Sequence, residues 1–136
     1  MDDSLSFVLF SGTDDKLEAA AVLATGAAAM GRKVNVFLQY WALDAFRKGS
    51  LKKDHGIAPE GGAEGAELLR AARDRGGAHW SDMLAQAKDL GGVTITACAL
   101  SMDHFGITHE DLDPIVDGVT GVAAFMAEAT GAIVFI

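Results

Sequence analysis

The sequence predicts an α/β domain built on parallel strands, and three observations carry that expectation. Leu5-Ser6-Phe7-Val8-Leu9-Phe10 is a short apolar run of the kind that forms a buried strand, and an Ala-rich helical stretch, Gly31 and a second apolar run follow it. Strand, helix, glycine and strand within about 35 residues make a βαβ unit, which requires parallel strands and a right-handed crossover. The same order recurs without sequence repetition further on, where a helix ends in Gly91-Gly92 and feeds the strand Val93 to Cys98.

Element by element, Ser11-Gly12-Thr13-Asp14 supplies small polar residues suited to capping a helix, predicted from about Asp14 to Met30. Its alanines favour helix and let it lie close to a sheet. Gly31 fits a helix C-cap, and Lys33 to Leu38 reads as the second strand. Lys48 to Gly62, rich in Gly, Lys, Asp and Glu and holding Pro59, reads as a long loop, either a lid or interaction segment or merely a mobile connection, followed by a helix over Ala63 to Arg75. A helix is expected from about Ser81 to Leu90, a short helical turn from Ser101 to Phe105, and an acidic turn from Thr108 to Asp113. Ile115 to Val119 is expected as a short strand, Thr120 to Thr130 as a helix, and Ala132 to Ile136 as a terminal strand tied into the sheet.

Composition narrows the function. The chain has 136 residues, enough for one domain with a real core, and 11 basic against 19 acidic residues give a formal charge of −8. That balance argues against a nucleic-acid partner, whose phosphates demand clustered Lys and Arg. The one small basic cluster, Arg47, Lys48, Lys52 and Lys53, reads as a solvated turn. No apolar run reaches the ~18 residues of a membrane span. The acidic start, Met1-Asp2-Asp3-Ser4, is no secretory signal, and with a single cysteine it points to the cytoplasm. A positive mean hydropathy suggests apolar surface covered by other subunits.

Several familiar motifs are missing. No G-x-G-x-x-G follows the first strand and no G-x-x-x-x-G-K-[ST] occurs, so those nucleotide-phosphate cradles are unsupported. Ala97-Cys98-Ala99 lacks the glycines of a nucleophile elbow, and there is no C-x-x-C pair. His55, His79, His104 and His109 are too dispersed to announce a metal site. No cofactor is expected. Trp41 and Trp80 read as packing anchors in core or interface.

Cys98 is the only cysteine, so any sulfur chemistry must involve a partner molecule. A lone cysteine in an apolar strand is commonly an inert small hydrophobe. Against that stands its position at the carboxyl end of a strand, where ligands bind in α/β sheets, ahead of a helical turn whose N-terminus favours a thiolate. Ser101 and Asp103 are placed to cap that turn and to tune the thiol. Tyr40 and Trp41, after the second strand, could wall the same sheet end and exclude water.

The segment Val93 to Asp103, continuing through Gly106-Ile107 to Val116-Asp117-Gly118-Val119, resembles the DsrE/DsrF/DsrH superfamily, nearest its DsrE2- and DsrE3-type sulfur-carrier branch. That branch has the pattern A-C-x-x-S-M-D-x-x-G-I after a strand, then D-G-V. Phe37 to Leu43 resembles its aromatic F-x-x-[FY]-W-x-L stretch. The resemblance covers nearly the whole chain, 1–136, as one DsrE-like domain, and is weakest in a divergent loop and helix at about 48–77. There many relatives carry a Met- and Pro-rich segment, and this chain has Glu60-Gly61-Gly62-Ala63-Glu64-Gly65 and an Arg-rich helix.

The resemblance implies a three-layer α/β/α domain with a mostly parallel, flavodoxin-like five-stranded open sheet, commonly assembled into homo-oligomers. It also implies that Cys98 carries sulfane sulfur as a persulfide, exchanged with rhodanese-like or TusA-like donor and acceptor proteins. The expected function is therefore a sulfur carrier or sulfurtransferase. Two alternatives stand beside it: a non-catalytic oligomeric subunit with Cys98 in the core, and a small-ligand module using the Ser11-Gly12-Thr13-Asp14 loop.

Overall fold

The computed structural model describes residues 2–136; Met1, the first residue of the acidic start, lies outside them. Five strands form one all-parallel sheet in the order β4-β3-β2-β1-β5: β1 Leu5–Leu9, β2 Val34–Leu38, β3 Val93–Cys98, β4 Gly118–Thr120 and β5 Ala132–Phe135. Six helices accompany them: α1 Asp14–Ala29, α2 Tyr40–Ala45, α3 Gly62–Asp74, α4 Trp80–Leu90, α5 Ala99–Phe105 and α6 Val122–Glu128. No helix of the described residues is long and apolar enough to cross a membrane.

Strand order and handedness together decide which face each helix covers. The chain steps from β1 through β2 and β3 to β4 in one direction, then returns over the sheet to place β5 beyond β1. Right-handed crossovers put helices of forward steps on one face and the helix of the return step on the other. Accordingly α1 and α4 pack side by side on one face, and α6 lies on the opposite one.

Strand alternation fills the two faces unequally. Phe7, Leu9, Val34, Val36, Leu38 and Ile95 point into the main core, where they meet Leu17, Trp80 and Leu84. Ala20, Ala21, Ala24, Ala27 and Ala28 form the buried stripe of α1, whose small side chains allow close approach to the sheet. On the opposite face Val8, Phe37 and Cys98 meet only Phe125 and Ala129 in a small second cluster.

Several boundaries differ from expectation, each for a local reason. α4 starts at Trp80 because the side chain of His79 caps it, its Nδ1 accepting from Ser81 N at 3.1 Å. The aromatic stretch after β2 contains a short helix that its composition did not announce. Ile115 and Val116 form a turn instead of a strand, since Asp113 receives both of their N–H groups, Ile115 on its side chain and Val116 on its carbonyl. Strand pairing resumes only at Gly118, and the helix expected from Thr120 to Thr130 is confined to Val122–Glu128.

The divergent 48–77 segment is fastened down rather than free. Asp14 N donates to Gly56 O at 2.9 Å, His55 N to Asp14 Oδ2 at 3.0 Å, and Ala58 N to both oxygens of Asp15 at 3.1 Å. Asp14 is 1% exposed and also accepts from Trp80 Nε1 at 2.9 Å, with the Arg73 guanidinium 3.6 Å away. A carboxylate can be buried when its oxygens are satisfied in this way. One side chain thereby ties α1, the 54–58 loop, α3 and α4 together.

Candidate functional site

Cys98 is the last residue of β3 and the N-cap of α5, in extended conformation at φ −71°, ψ 117°. Helix therefore begins at Ala99, earlier than expected, and Ser101 and Asp103 fall inside it instead of capping it. Ser101 stands at the third helical position, fully buried, and its Oγ has no hydrogen-bond partner among the described residues. Asp103 is exposed. Gly106, at φ 64°, takes the left-handed turn that ends α5 and lets Ile107 N donate to Met102 O at 3.0 Å.

Alternation in β3 sends Ile95 and Ala97 into the main core and Cys98 to the opposite face. There the thiol is 3% exposed, in the cluster formed by Phe37, Phe125, Ala129 and Val8. The Phe37 and Phe125 rings stack with centroids 4.5 Å apart and planes 9° from parallel. Beside it, Thr120 of β4 is in register with Cys98. The thiol is thus positioned by a strand end and roofed by α6.

Tyr40 and Trp41 occupy the adjoining strand end but face a different set of neighbours. Gln39 N donates to Leu9 O at 2.9 Å and Ala42 N to Phe10 O at 3.2 Å, which clamps the turn after β2 to the end of β1. Gly12 permits this approach, because a Cβ there would lie 2.2 Å from Trp41 O. Tyr40 has φ 42°, a left-handed conformation that costs a non-glycine residue about 1 kcal/mol or more. Its ring packs on Phe10 at 5.1 Å and on His104 and Phe105 at 6.2 Å, and Trp41, 57% exposed, packs on Phe105 at 5.6 Å. The two aromatics therefore wall the far end of α5, whose first residue follows Cys98.

The remaining polar groups have structural duties. His55 lies 2.7 Å from Ser50 O through Nε2, and His79 caps α4. Burial and then the Arg73 charge hold His79 below the ordinary histidine range. Burial acts to raise Asp15, but hydrogen bonds from Thr13, Ala58 and Lys16 outweigh it and lower the carboxyl overall. A cleft of about 430 Å³ beside the Ser11-Gly12-Thr13 loop is lined by Asp44, Asp54 and His55, and the Asp14 N–H at the α1 N-terminus is already taken by Gly56. Carboxylates and a spent donor make that end unsuited to a phosphate. Cys98 lines neither this cleft nor the 580 Å³ groove between Leu51, Lys88 and Ile115.

Phe125 and Ala129, the residues that cover Cys98, did not figure among the candidates read from the sequence. Spacing gave no signal for them, because residues 122–129 are apolar almost throughout and Val122 and Met126, an equally good i, i+4 pair, lie exposed. The Asp14–Trp80 bond joins positions 66 residues apart, a separation at which sequence pattern gives no warning.

Comparison with known proteins agrees with this architecture. The chain is 30% identical over 144 aligned positions to the uncharacterized protein YrkE of Bacillus subtilis (strain 168), covering 91% of this chain and 89% of the relative. Among solved structures, the fold is similar to the ychN protein from E. coli, with TM-score 0.59 at 13% identity over 98% of this chain and 99% of the other. It is also similar to MTH1491, a protein of unknown function from Methanobacterium thermoautotrophicum, with TM-score 0.53 at 16% identity over 98% and 100%. A family model described as DsrE/DsrF/DrsH-like matches residues 1–60 and 61–135, and the chain belongs to the DsrE/DsrF/DrsH-like family.

Proposed function

We propose that this protein is a sulfur carrier, a sulfurtransferase that holds sulfane sulfur as a persulfide on Cys98. The observation that carries the reading is the address of the chain's only thiol, at the carboxyl end of a parallel strand and directly before α5. Family membership supports it, since sulfur relay is the chemistry that the resemblance implies. The Cys98 thiolate attacks the outer sulfur of a donor persulfide; a new S–S bond forms, the donor's S–S bond breaks, and the donor leaves as its thiolate. A second protein's thiolate then removes the sulfur by the same exchange, with no net oxidation.

In this reading the partners are rhodanese-like or TusA-like donors and acceptors, and the working state is a cytoplasmic homo-oligomer. Ser101, with its unpartnered hydroxyl, tunes Cys98 from the first turn of α5; Asp103, exposed, acts through its charge. Tyr40 and Trp41 act at a distance, bracing the far end of α5 through His104 and Phe105. Incubation with thiosulfate and a rhodanese, followed by intact-protein mass spectrometry, should add one sulfur atom to the wild type and none to Cys98→Ala. No adduct, or an adduct that survives in Cys98→Ala, would sink the reading.

One observation favours a second reading, in which Cys98 is a core residue of a non-catalytic subunit: the thiol is 3% exposed under Phe125 and Ala129. That reading predicts that alkylating reagents leave the folded protein unmodified and that Cys98→Ser changes stability alone.

A further inference from the structure

We propose that α6 is a hinged cover over Cys98, which opens without global unfolding and admits a thiol-reactive group to the sulfur. The thiol sits beneath α6, and α6 is weakly held. Of its seven residues only Phe125 is buried; Val122 and Met126 are 58% and 53% exposed. Ala129, just past its end, is the second contact with the sheet face.

No hydrogen bond among the described residues joins Val122–Glu128 to another element. The bonds of this stretch run back along its own chain, Phe125 N to Gly121 O and Ala129 N to Phe125 O. A helix this short has little stability of its own in water. Segments with few apolar contacts and solvent-facing backbone bonds open locally, well before the core.

The two ends of the cover differ. At the far end Thr130 Oγ1 donates to Asp2, and Gly131 lies so close to Ser4 that an added Cβ would be 2.2 Å from Ser4 O, so that end is pinned. At the near end Gly121 follows β4 directly, and an added Cβ would meet nothing within 4 Å. Gly121, without a Cβ and with open space around it, is the position suited to absorb the backbone change as Phe125 lifts off Phe37. The motion uncovers Cys98 at the point where Thr120 lies in register with it.

The purpose of the cover rests on the sulfur-carrier reading, but the opening is tested with a reagent that modifies any exposed thiol. Labelling of native Cys98 by an aromatic disulfide is followed against urea concentration, beside the global unfolding transition. The expected result is slow labelling in the wild type with a urea dependence far shallower than that of global unfolding. Phe125→Ala should accelerate it at least about tenfold, while Met126→Ala leaves it unchanged. Gly121→Ser, which improves the cap and stiffens the hinge, should slow it about twofold.

Labelling with the same steep urea dependence as global unfolding would overturn the proposal, as would wild-type labelling as fast as in the unfolded chain. So would labelling of Phe125→Ala that keeps the steep urea dependence of global unfolding. If the cover opens but no persulfide forms, the sulfur-carrier reading fails and the hinge stands. If a persulfide forms with no local opening, the converse holds.

Discussion

The two faces of this sheet are closed in opposite ways. On one, α1 and α4 bury an extended apolar core, and Asp14 locks α1, α3, α4 and the 54–58 loop together through Trp80, His55 and Arg73. On the other, α6 rests on the sheet through Phe125 and Ala129, with one hydroxyl contact from Thr130 to Asp2. The only thiol lies on the second face. The first face is held by an extended core and a polar lock, and the segment that covers the sulfur on the second is held by few contacts.

The contrast can be broken most severely at Asp14. Asp14→Ala strands the buried Trp80 donor, leaves the part-buried His55 N–H without its acceptor and removes the partner of the part-exposed Arg73, so a loss of about 2–4 kcal/mol is expected in urea unfolding. Phe125→Ala should cost less, about 1–2 kcal/mol, because its cluster is small and its cavity opens to water. If the two costs came out equal, the faces would not differ as described.

Gly12→Ala tests the clamp at the strand ends. Its Cβ would press on Trp41 O, so about 1–3 kcal/mol of destabilisation and a changed tryptophan fluorescence are expected. Tyr40→Gly relieves a left-handed backbone and should recover part of about 1 kcal/mol, while removing a ring from the aromatic wall. A variant that is more stable but transfers sulfur more slowly would assign the strain a functional reason.

The smallest effect is a pH dependence from His79. Its pKa is lowered in the fold, so below the ordinary histidine range the unfolded chain binds more protons than the native one. Stability should therefore be constant above about pH 7 and fall as the pH drops through the unfolded value near 6.5. His79→Asn, which can still cap α4, should flatten that slope in thermal melts taken between neutral and mildly acidic pH.

Much of the fold was legible because it rests on local pattern. The run Leu5 to Phe10, the alanines of α1 with Gly31 after them, and Gly91-Gly92 before β3 announce parallel βαβ units without any long-range knowledge. The strand expected at Ile115 failed because Asp113 captured the backbone of the next residues, a competition between side chain and ladder that apolar composition does not reveal. At the site, Cys98 at a strand end was legible, and its burial was one of the two readings the sequence left open. Which face its side chain takes is fixed by register with β2, and which helix covers that face is fixed by the return of the chain to β5. The 54–58 strap was hidden for a similar reason: the polar, Gly-rich composition of that loop signals exposure, but its backbone groups are bound by Asp14 and Asp15.

The central claim is that a thiol buried in the closed fold is nonetheless the sulfur-bearing group. It is tested most directly by a time course of intact mass for the native protein in polysulfide, without denaturant. The account predicts a single added sulfur on the wild type, gained faster in Phe125→Ala and absent from Cys98→Ala. A wild-type protein whose mass stays unchanged until it unfolds would contradict it.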